Sequence, residues 1–397
     1  MIRRTPVRIL HVIADLERAR GGPAHVAVEL AELMARRGHR VSVIATDRGL
    51  PPEYRDPDGR ARHAARIEAY PIARPRFWGT SWAMRRRLAA VIPETDIVHL
   101  HSLYLFHDWV TGAYCRRFGV PYIVRPHGTL DPFLYRRHRW RKAVMERLFQ
   151  NAVLRRAAGL HYTTEEEQRI SEPQALNPRA WVVPIGIELG ALSAPAPRER
   201  LRERYPAIGS RKVVLFFGRL NFKKGLDTTI AAFATIARAR DDVFLLLAGP
   251  DGGQRAAAEQ WVTEAGIGDR TLFTGMVTGA EKALVLAGSD IFVLPSLSEN
   301  FGLSVVEAAA CSLPVVISDR INLCGDIAAA DAGLVGPPTV EAFAGHLRFL
   351  LDNPDTAAAM GRRGAALARD HYNWDALGER YEAMYREAAA MRGRRAA

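Results

Sequence analysis

The chain has 397 residues, 48% hydrophobic and 25% charged, a globular composition that excludes disordered and collagen-like classes and predicts two to three domains at about 150 residues each. Its best apolar runs, Val213–Phe217 and Val243–Ala248, are far shorter than the roughly 20 residues that cross a bilayer, so no membrane-spanning helix is expected. The net charge of +12 lies in the first half, where residues 1–187 hold 31 Lys and Arg against 18 Asp and Glu, leaving the remainder at −1. One-sided positive charge points to an anionic partner, whether membrane surface, phosphorylated substrate or nucleic acid. An arginine-favouring composition, with only five lysines, explains part of it equally well.

The start, Met1-Ile-Arg-Arg, is basic like a signal peptide, but Asp15, Glu17, Arg18 and Arg20 end its apolar stretch, so a buried first strand is the reading. Cys115, Cys311 and Cys324 are odd in number and far apart, which indicates neither a disulfide framework nor a zinc site and fits a reducing cytoplasm.

Short β-branched and aliphatic runs alternate with Ala-rich amphipathic stretches, the pattern of βα units around a parallel sheet. Strands are predicted at Val7–Ile13, Val41–Thr46, Ile97–His101, Tyr122–Arg125, Gly159–Thr163 and Trp181–Ile185. The segment 191–211, with Pro195, Pro197 and Pro206, reads as a linker feeding a short helix. The series restarts with Val213–Gly218, Val243–Ala248, Thr271–Thr274, Asp290–Pro295 and Pro314–Ser318. From Asn373 to Met391, Trp374, Leu377, Tyr381, Met384 and Tyr385 recur at spacings of three and four, predicting one amphipathic helix. The expected division is 1–190, 191–372 and a terminal helix with its tail at 373–397. Two such domains create a cleft, and open parallel sheets bind ligands beyond the C-terminal ends of their strands.

Gly21-Gly22-Pro23 follows the first strand and opens a helix. Its backbone amides and helix dipole suit an anion such as phosphate, and a plain turn accounts for the same residues. Asp56-Pro-Asp58 matches a metal-holding Asp-x-Asp pattern but sits in a Pro/Gly/Arg loop, so a turn is preferred and no metal is assigned. His101 ends one strand, and Arg125-Pro-His127-Gly128 with Asp131-Pro132 follows another. Either histidine can meet a substrate hydroxyl or carbonyl, and Asp131 either contacts an acceptor or makes a turn. Tyr135 to Lys142, followed by Val144, Met145, Leu148 and Phe149, is either a solvated basic helix or a segment that rests on an anionic bilayer.

Gly218-Arg219 to Lys224-Gly225 follows an apolar strand, where an arginine fork and a lysine can converge on a diphosphate. Ser298-Glu299-Asn300-Phe301-Gly302-Leu303-Ser304-Val-Val-Glu307 brackets a turn and a helix start with two carboxylates, good acceptors for sugar or ribose hydroxyls. Ser304-x-x-Glu307 is also a capping box, with Glu307 in the first helical turn.

In order and spacing, Gly21-Gly22, Pro126-His127-Gly128, Val183-Pro-Ile-Gly-Ile-Glu188, Gly218-Arg219 to Lys224-Gly225 and Glu299 to Glu307 resemble the retaining glycosyltransferases of family GT4. The resemblance covers nearly the whole chain and implies the α/β GT-B architecture: two Rossmann-like parallel-sheet domains facing across a cleft, with a C-terminal helix crossing back to the first. It implies that Arg219 and Lys224 bind the donor diphosphate, helped by Gly21 and Gly22. Glu307 would hold the ribose, and Glu299 with Asn300, Phe301, Gly302 and Leu303 the donor sugar. His127 would meet the transferred sugar, with Met276 and Val277, after Gly275, near the nucleobase. His101 and Asp131 are the acceptor candidates. The family commonly has Pro-Asn-Gly where this chain has Pro184-Ile185-Gly186.

The implied reaction is same-face transfer of a sugar from a nucleotide-diphosphate sugar, the co-substrate, with no metal or other cofactor. Arg219 and Lys224 offset the leaving charge. The acceptor would be a glycan or lipid-linked precursor in cell-envelope assembly, handled in the cytoplasm at the inner face of the plasma membrane, and no nucleic-acid partner is expected. A phosphorylase or nucleotide-sugar epimerase of the same architecture, and a nonenzymatic polyanion-binding protein, are the competing readings. The last has only charge in its support, without a recognisable nucleic-acid-binding motif.

Overall fold

The structure, a computed structural model, describes residues 5–17, 22–51, 54, 63–135, 139–190, 192 and 198–392. It divides into two compact units: Met1–Ile185 with Leu377–Ala397, and Gly186–Ala376. The chain therefore returns to the first unit after completing the second.

The first unit holds β1 (Arg8–Asp15), β2 (Arg40–Thr46), β3 (Arg66–Tyr70), β4 (Ile97–His101), β5 (Tyr122–Arg125), β6 (Gly159–Tyr162) and β7 (Ala180–Val182). They form one sheet in the order β3-β2-β1-β4-β5-β6-β7, parallel throughout. Sheets covered on both faces need near-continuous apolar strands, which is why most of these strands were legible. The edge strand β3 was not predicted, because in Arg-Ile-Glu-Ala-Tyr only Ile67 is buried. On one face Leu10, Val12, Val98, Leu100, Val124 and Leu160 build the apolar core with Phe106, Val110 and Leu154.

The second unit holds β8 (Lys212–Phe217), β9 (Val243–Ala248), β10 (Thr271–Gly275), β11 (Ile291–Leu294), β12 (Val315–Ser318) and β13 (Gly333–Gly336). Their order is β10-β9-β8-β11-β12-β13, again parallel. Strand β13 escaped prediction because it is only Gly-Leu-Val-Gly. Its first glycine is required, since a Cβ at Gly333 would lie 2.0 Å from the Val315 carbonyl oxygen. The short helix expected in 191–211 is Arg198–Arg204; Pro195 and Pro197 lie outside the described residues. Gly186 leaves room for the Trp374 ring, which a Cβ would approach to 2.3 Å, and Ile187 donates to the Tyr372 carbonyl at 2.7 Å.

The terminal helix spans Trp374–Ala389. From Leu377 onward it belongs to the first unit, where Leu377, Tyr381, Met384, Tyr385 and Ala388 are buried. Tyr381 donates to the Pro184 carbonyl at 2.7 Å, and Glu382 accepts from Arg37 Nε at 2.7 Å.

In each sheet the first strand of the unit is central and the strand order reverses beside it, a crevice-forming topology. In the second unit this sets the loops after β8 and β11 side by side. Lys223 accepts from the Leu297 amide at 2.7 Å. Gly225, at φ 65°, sits where a Cβ would come within 2.2 Å of the Pro295 carbonyl oxygen. Gly225→Ala combines left-handed strain with a backbone clash and should destabilise the second unit by about 2–4 kcal/mol, read as a lower urea midpoint. An unchanged midpoint would show that the two loops are not held together this tightly.

Candidate active site

In the second unit, the loop after β8 carries Gly218 and Arg219 and then a 3-10 turn, Phe222–Lys224. Asn221 organises it, accepting from the Lys223 amide at 3.2 Å and donating to the Gly252 carbonyl at 3.1 Å. Arg219 runs so close to Gly252 that a Cβ there would come within 2.7 Å of its side chain. Lys224 reaches across to the loop after β11 and forms an ion pair with Glu299. Glu299 is fixed through its backbone, its amide donating to the Arg320 carbonyl at 3.1 Å and its own carbonyl accepting from Asn322 at 3.1 Å.

The capping box is not formed. The helix after β11 is Leu303–Ala310 with Gly302 as its N-cap at φ 88°, so Ser304 lies inside the helix and Glu307 in its second turn. Glycine takes the left-handed cap without steric cost, and nothing is left for a serine cap to do. Glu307 pairs instead with Lys282 at 2.9 Å, a residue on the helix Gly279–Gly288 that sequence reasoning did not single out. Two of the five lysines thus neutralise the two carboxylates of the Glu299–Glu307 element. Phe301 is buried, with its ring edge-on to Tyr372 at 5.6 Å. Among the described residues, Asn300 Oδ1 and Asn322 Nδ2 are buried without a hydrogen-bond partner. Met276 is half exposed and Val277 buried, after Gly275, whose φ of 74° turns the chain out of β10.

In the first unit, Gly21 lies outside the described residues, as do Asp56 and Asp58. Gly22 begins the helix Gly22–Arg36, and a Cβ on it would meet nothing within 4 Å among the described residues. Past β5, His127 at φ 52° and Gly128 at φ 74° form a left-handed turn. The buried Glu167 braces that turn, accepting from the Gly128 amide at 3.3 Å and from the Thr163 amide and hydroxyl at 2.7 Å each. Asp131 caps the next turn, accepting from the Phe133 amide at 2.7 Å, in line with the turn reading.

His101 is not at the surface. It is fully buried and both ring nitrogens are engaged, Nε2 with His11 Nδ1 and Nδ1 with His127 Nε2, each at 3.0 Å. It therefore reaches an acceptor only through His127, which is partly exposed. Register explains the cluster. His11 pairs with His99 across β1 and β4, and His101 with Arg125 across β4 and β5, so these side chains share the sheet face opposite the apolar core. His161 joins them from β6, its Nδ1 3.3 Å from His99 Nε2. The terminal helix covers this face through Tyr385, whose hydroxyl lies 2.8 Å from His99 Nδ1.

Burial, reinforced by the Arg125 charge, pushes the His11 imidazole down to about 3. Burial likewise holds His99, His101 and His161 well below the usual range, helped by neighbouring imidazoles and Arg125. The unfolded chain takes up a proton at each of these four near pH 6.5 and the folded chain does not. Their contribution to stability is therefore fully present above that pH and is lost as the pH drops below it. Urea midpoints should decline steeply from about pH 6.5 to about pH 5, whereas a flat profile would mean that the folded state carries imidazolium.

Two parallel-sheet units, with cations and carboxylates gathered on the loops after β8 and β11, have the architecture of the GT-B glycosyltransferases. Glycosyltransferase Family 4 matches residues 20–190, and Glycosyl transferases group 1 matches residues 197–366. The chain is 30% identical over 408 residues to the D-inositol 3-phosphate glycosyltransferase of Kineococcus radiotolerans, covering 94% of this chain and 93% of that protein. It is 28% identical over 393 residues to the phosphatidyl-myo-inositol mannosyltransferase of Mycobacterium leprae, covering 93% and 94%. Anabaena HepE, solved with UDP and glucose, superimposes with a TM-score of 0.78 at 18% identity, covering 95% of this chain and 99% of HepE. The chain belongs to glycosyltransferase family 4 and is a glycosyltransferase.

Proposed function

We propose that the enzyme is a retaining, metal-independent hexosyltransferase that carries a sugar from a nucleotide-diphosphate sugar to a glycan or lipid-linked acceptor at an anionic membrane surface. The observation that supports this reading best is the Lys224–Glu299 ion pair between adjacent loops at the strand-order reversal of the second sheet, with Arg219 on the first of those loops. There, fixed cations can stabilise charge as it develops on a leaving diphosphate.

In this reading Arg219 grips the diphosphate as a planar fork and Lys224 bridges it to Glu299. Glu299 and the backbone from Asn300 to Leu303 accept and donate to the sugar hydroxyls, and Glu307 holds the ribose, its orientation set by Lys282. The nucleobase lies against Met276 and Val277. Gly22 contributes its backbone to the phosphates, and His127 meets the transferred sugar. As the C–O bond to the diphosphate breaks, the sugar takes on oxocarbenium character. The acceptor hydroxyl attacks from the same face, and its proton passes to the departing phosphate oxygen. Arg219, with Lys224, would supply the positive charge that a divalent cation supplies elsewhere, which favours turnover without metal.

The acceptor side rests on charge and exposure. Trp140, Val144 and Leu148 are exposed at spacings of four, beside Arg139, Arg141 and Arg147. Apolar side chains among arginines suit the headgroup region of an anionic bilayer. No helix among the described residues is long and apolar enough to cross a membrane, so the proposed attachment is peripheral, on the cytoplasmic side. The acceptor is then presented by a lipid, as the name of the mycobacterial relative states for that protein.

Arg219→Ala and Glu307→Ala should each lower transfer by about a hundredfold or more while leaving the fold intact. One nucleoside diphosphate among UDP, GDP, ADP and TDP should raise the melting temperature of the wild type in EDTA, and not that of Arg219→Ala. Normal transfer in both variants would remove these site assignments, and stabilisation only with added metal would remove the metal-independent route. Flotation with anionic but not neutral vesicles at low salt tests the membrane reading, which protein remaining unbound would overturn.

A further inference from the structure

The buried histidines form one continuous hydrogen-bonded line, and one end of it is chemically fixed. His161 Nε2 lies 2.9 Å from the Val183 carbonyl oxygen. A carbonyl only accepts, so Nε2 carries the proton, and in a neutral ring Nδ1 is left as an acceptor. His99 Nε2, 3.3 Å away, must then donate, which leaves His99 Nδ1 to accept from the Tyr385 hydroxyl at 2.8 Å. The Tyr385 oxygen in turn faces His11 Nε2 at 3.4 Å. His11 donates to it and accepts at Nδ1 from His101 Nε2 at 3.0 Å. His101 accepts at Nδ1 from His127 Nε2 at 3.0 Å.

We propose that this line, anchored at the Val183 carbonyl and passing through His161, His99, Tyr385, His11 and His101, is a positioning device that holds His127 as the Nε2–H tautomer with Nδ1 as a bare acceptor. His127 then receives a hydrogen bond from a hydroxyl of the transferred sugar and cannot donate one from Nδ1. This rests on the reading that His127 meets that sugar. Tyr385 makes the terminal helix a part of the line: it is the one hydroxyl joining the His161–His99 half to the His11–His101–His127 half.

Neutrality is what makes the directions unique. The four interior rings are fully buried, and the buried Arg125 guanidinium shares their sheet face, with no geometric hydrogen-bond partner on Nε, Nη1 or Nη2 among the described residues. Its charge, which also acts on the buried Glu167 carboxylate, penalises an imidazolium next to it. It equally penalises a metal cation, although ring nitrogens of His11, His99 and His101 lie within 4.8 Å of one another. The 3.0 Å spacing of His11 and His101 and the Tyr385 hydroxyl set against His99 and His11 are accounted for by hydrogen bonds alone.

The test is the full-length, ligand-free protein labelled with ring-¹⁵N histidine, read at pH 7.5 by long-range ¹H–¹⁵N correlation, with His127 assigned by its loss in His127→Asn. All five histidines should show a protonated Nε2 and a bare Nδ1. In Tyr385→Phe an Nδ1–H population should appear at His127, and kcat for nucleotide release from the donor should fall about tenfold, the equivalent of one hydrogen bond, with KM within about twofold. An Nδ1–H or imidazolium His127 in the wild type, a His127 tautomer unchanged in Tyr385→Phe, or stoichiometric metal in the purified protein would each overturn the proposal. If Tyr385→Phe does not fold, the wild-type spectrum decides alone. Because the tautomers are read without donor, a wrong donor assignment leaves this result standing, and a wrong tautomer leaves the donor assignment standing.

Discussion

The reversal of strand order beside the first strand of each sheet is the constraint on which the rest of the structure depends. A parallel strand has to be followed by a crossover, and when successive crossovers pass to opposite sides of the sheet, the two loops at the reversal separate and leave an opening. In the second unit those loops follow β8 and β11, and the chain has placed its arginine–lysine segment on one and its paired carboxylates on the other. Gly225 permits the contact that locks them together, because the Pro295 carbonyl occupies the space of a side chain. The chemistry of the site is thus assembled from residues some 75 positions apart in sequence by topology, with local turns supplying only the final orientation.

The two units use their sheets differently. In the second, strands such as β9 are apolar and buried along their whole length, and the cations and carboxylates of the site lie beyond the strand ends. In the first, one face is an apolar core and the other carries a row of imidazoles beside a buried arginine. Polar groups held this deep are tolerated only when hydrogen-bonded or neutral. The row meets that requirement by bonding to itself and to Tyr385, and Arg125 is the one member whose guanidinium finds no partner among the described residues.

Much of this was legible in the sequence for a physical reason. Strands buried on both faces must be runs of aliphatic residues, and loops that bind phosphate must combine glycine with charge, so both leave marks in one dimension. The edge strands β3 and β13 escaped because an edge needs fewer apolar positions. The pairing of Lys282 with Glu307 escaped because 25 residues separate partners on different helices. Ser304 and Glu307 carried the spacing of a cap, yet Gly302 already ended the loop in a conformation only glycine takes freely. The histidine row was the least legible part. His11, His99 and His161 each stand between apolar residues in their strands, and only the register of four strands makes them neighbours.

The return of the terminal helix to the first unit has a consequence for how the protein is made. Synthesis runs from the N-terminus, so most of the first sheet emerges early, while the helix that covers its histidine face emerges only after all of Gly186–Ala376. Until Tyr381 and Tyr385 leave the ribosome, that face lacks the helix that buries it, and the first unit remains an unfinished layer. The second unit, contiguous in sequence, can close while translation continues. A chain stopped before Leu377 would hold a contiguous second unit and a first sheet whose histidine face lacks the helix that covers it.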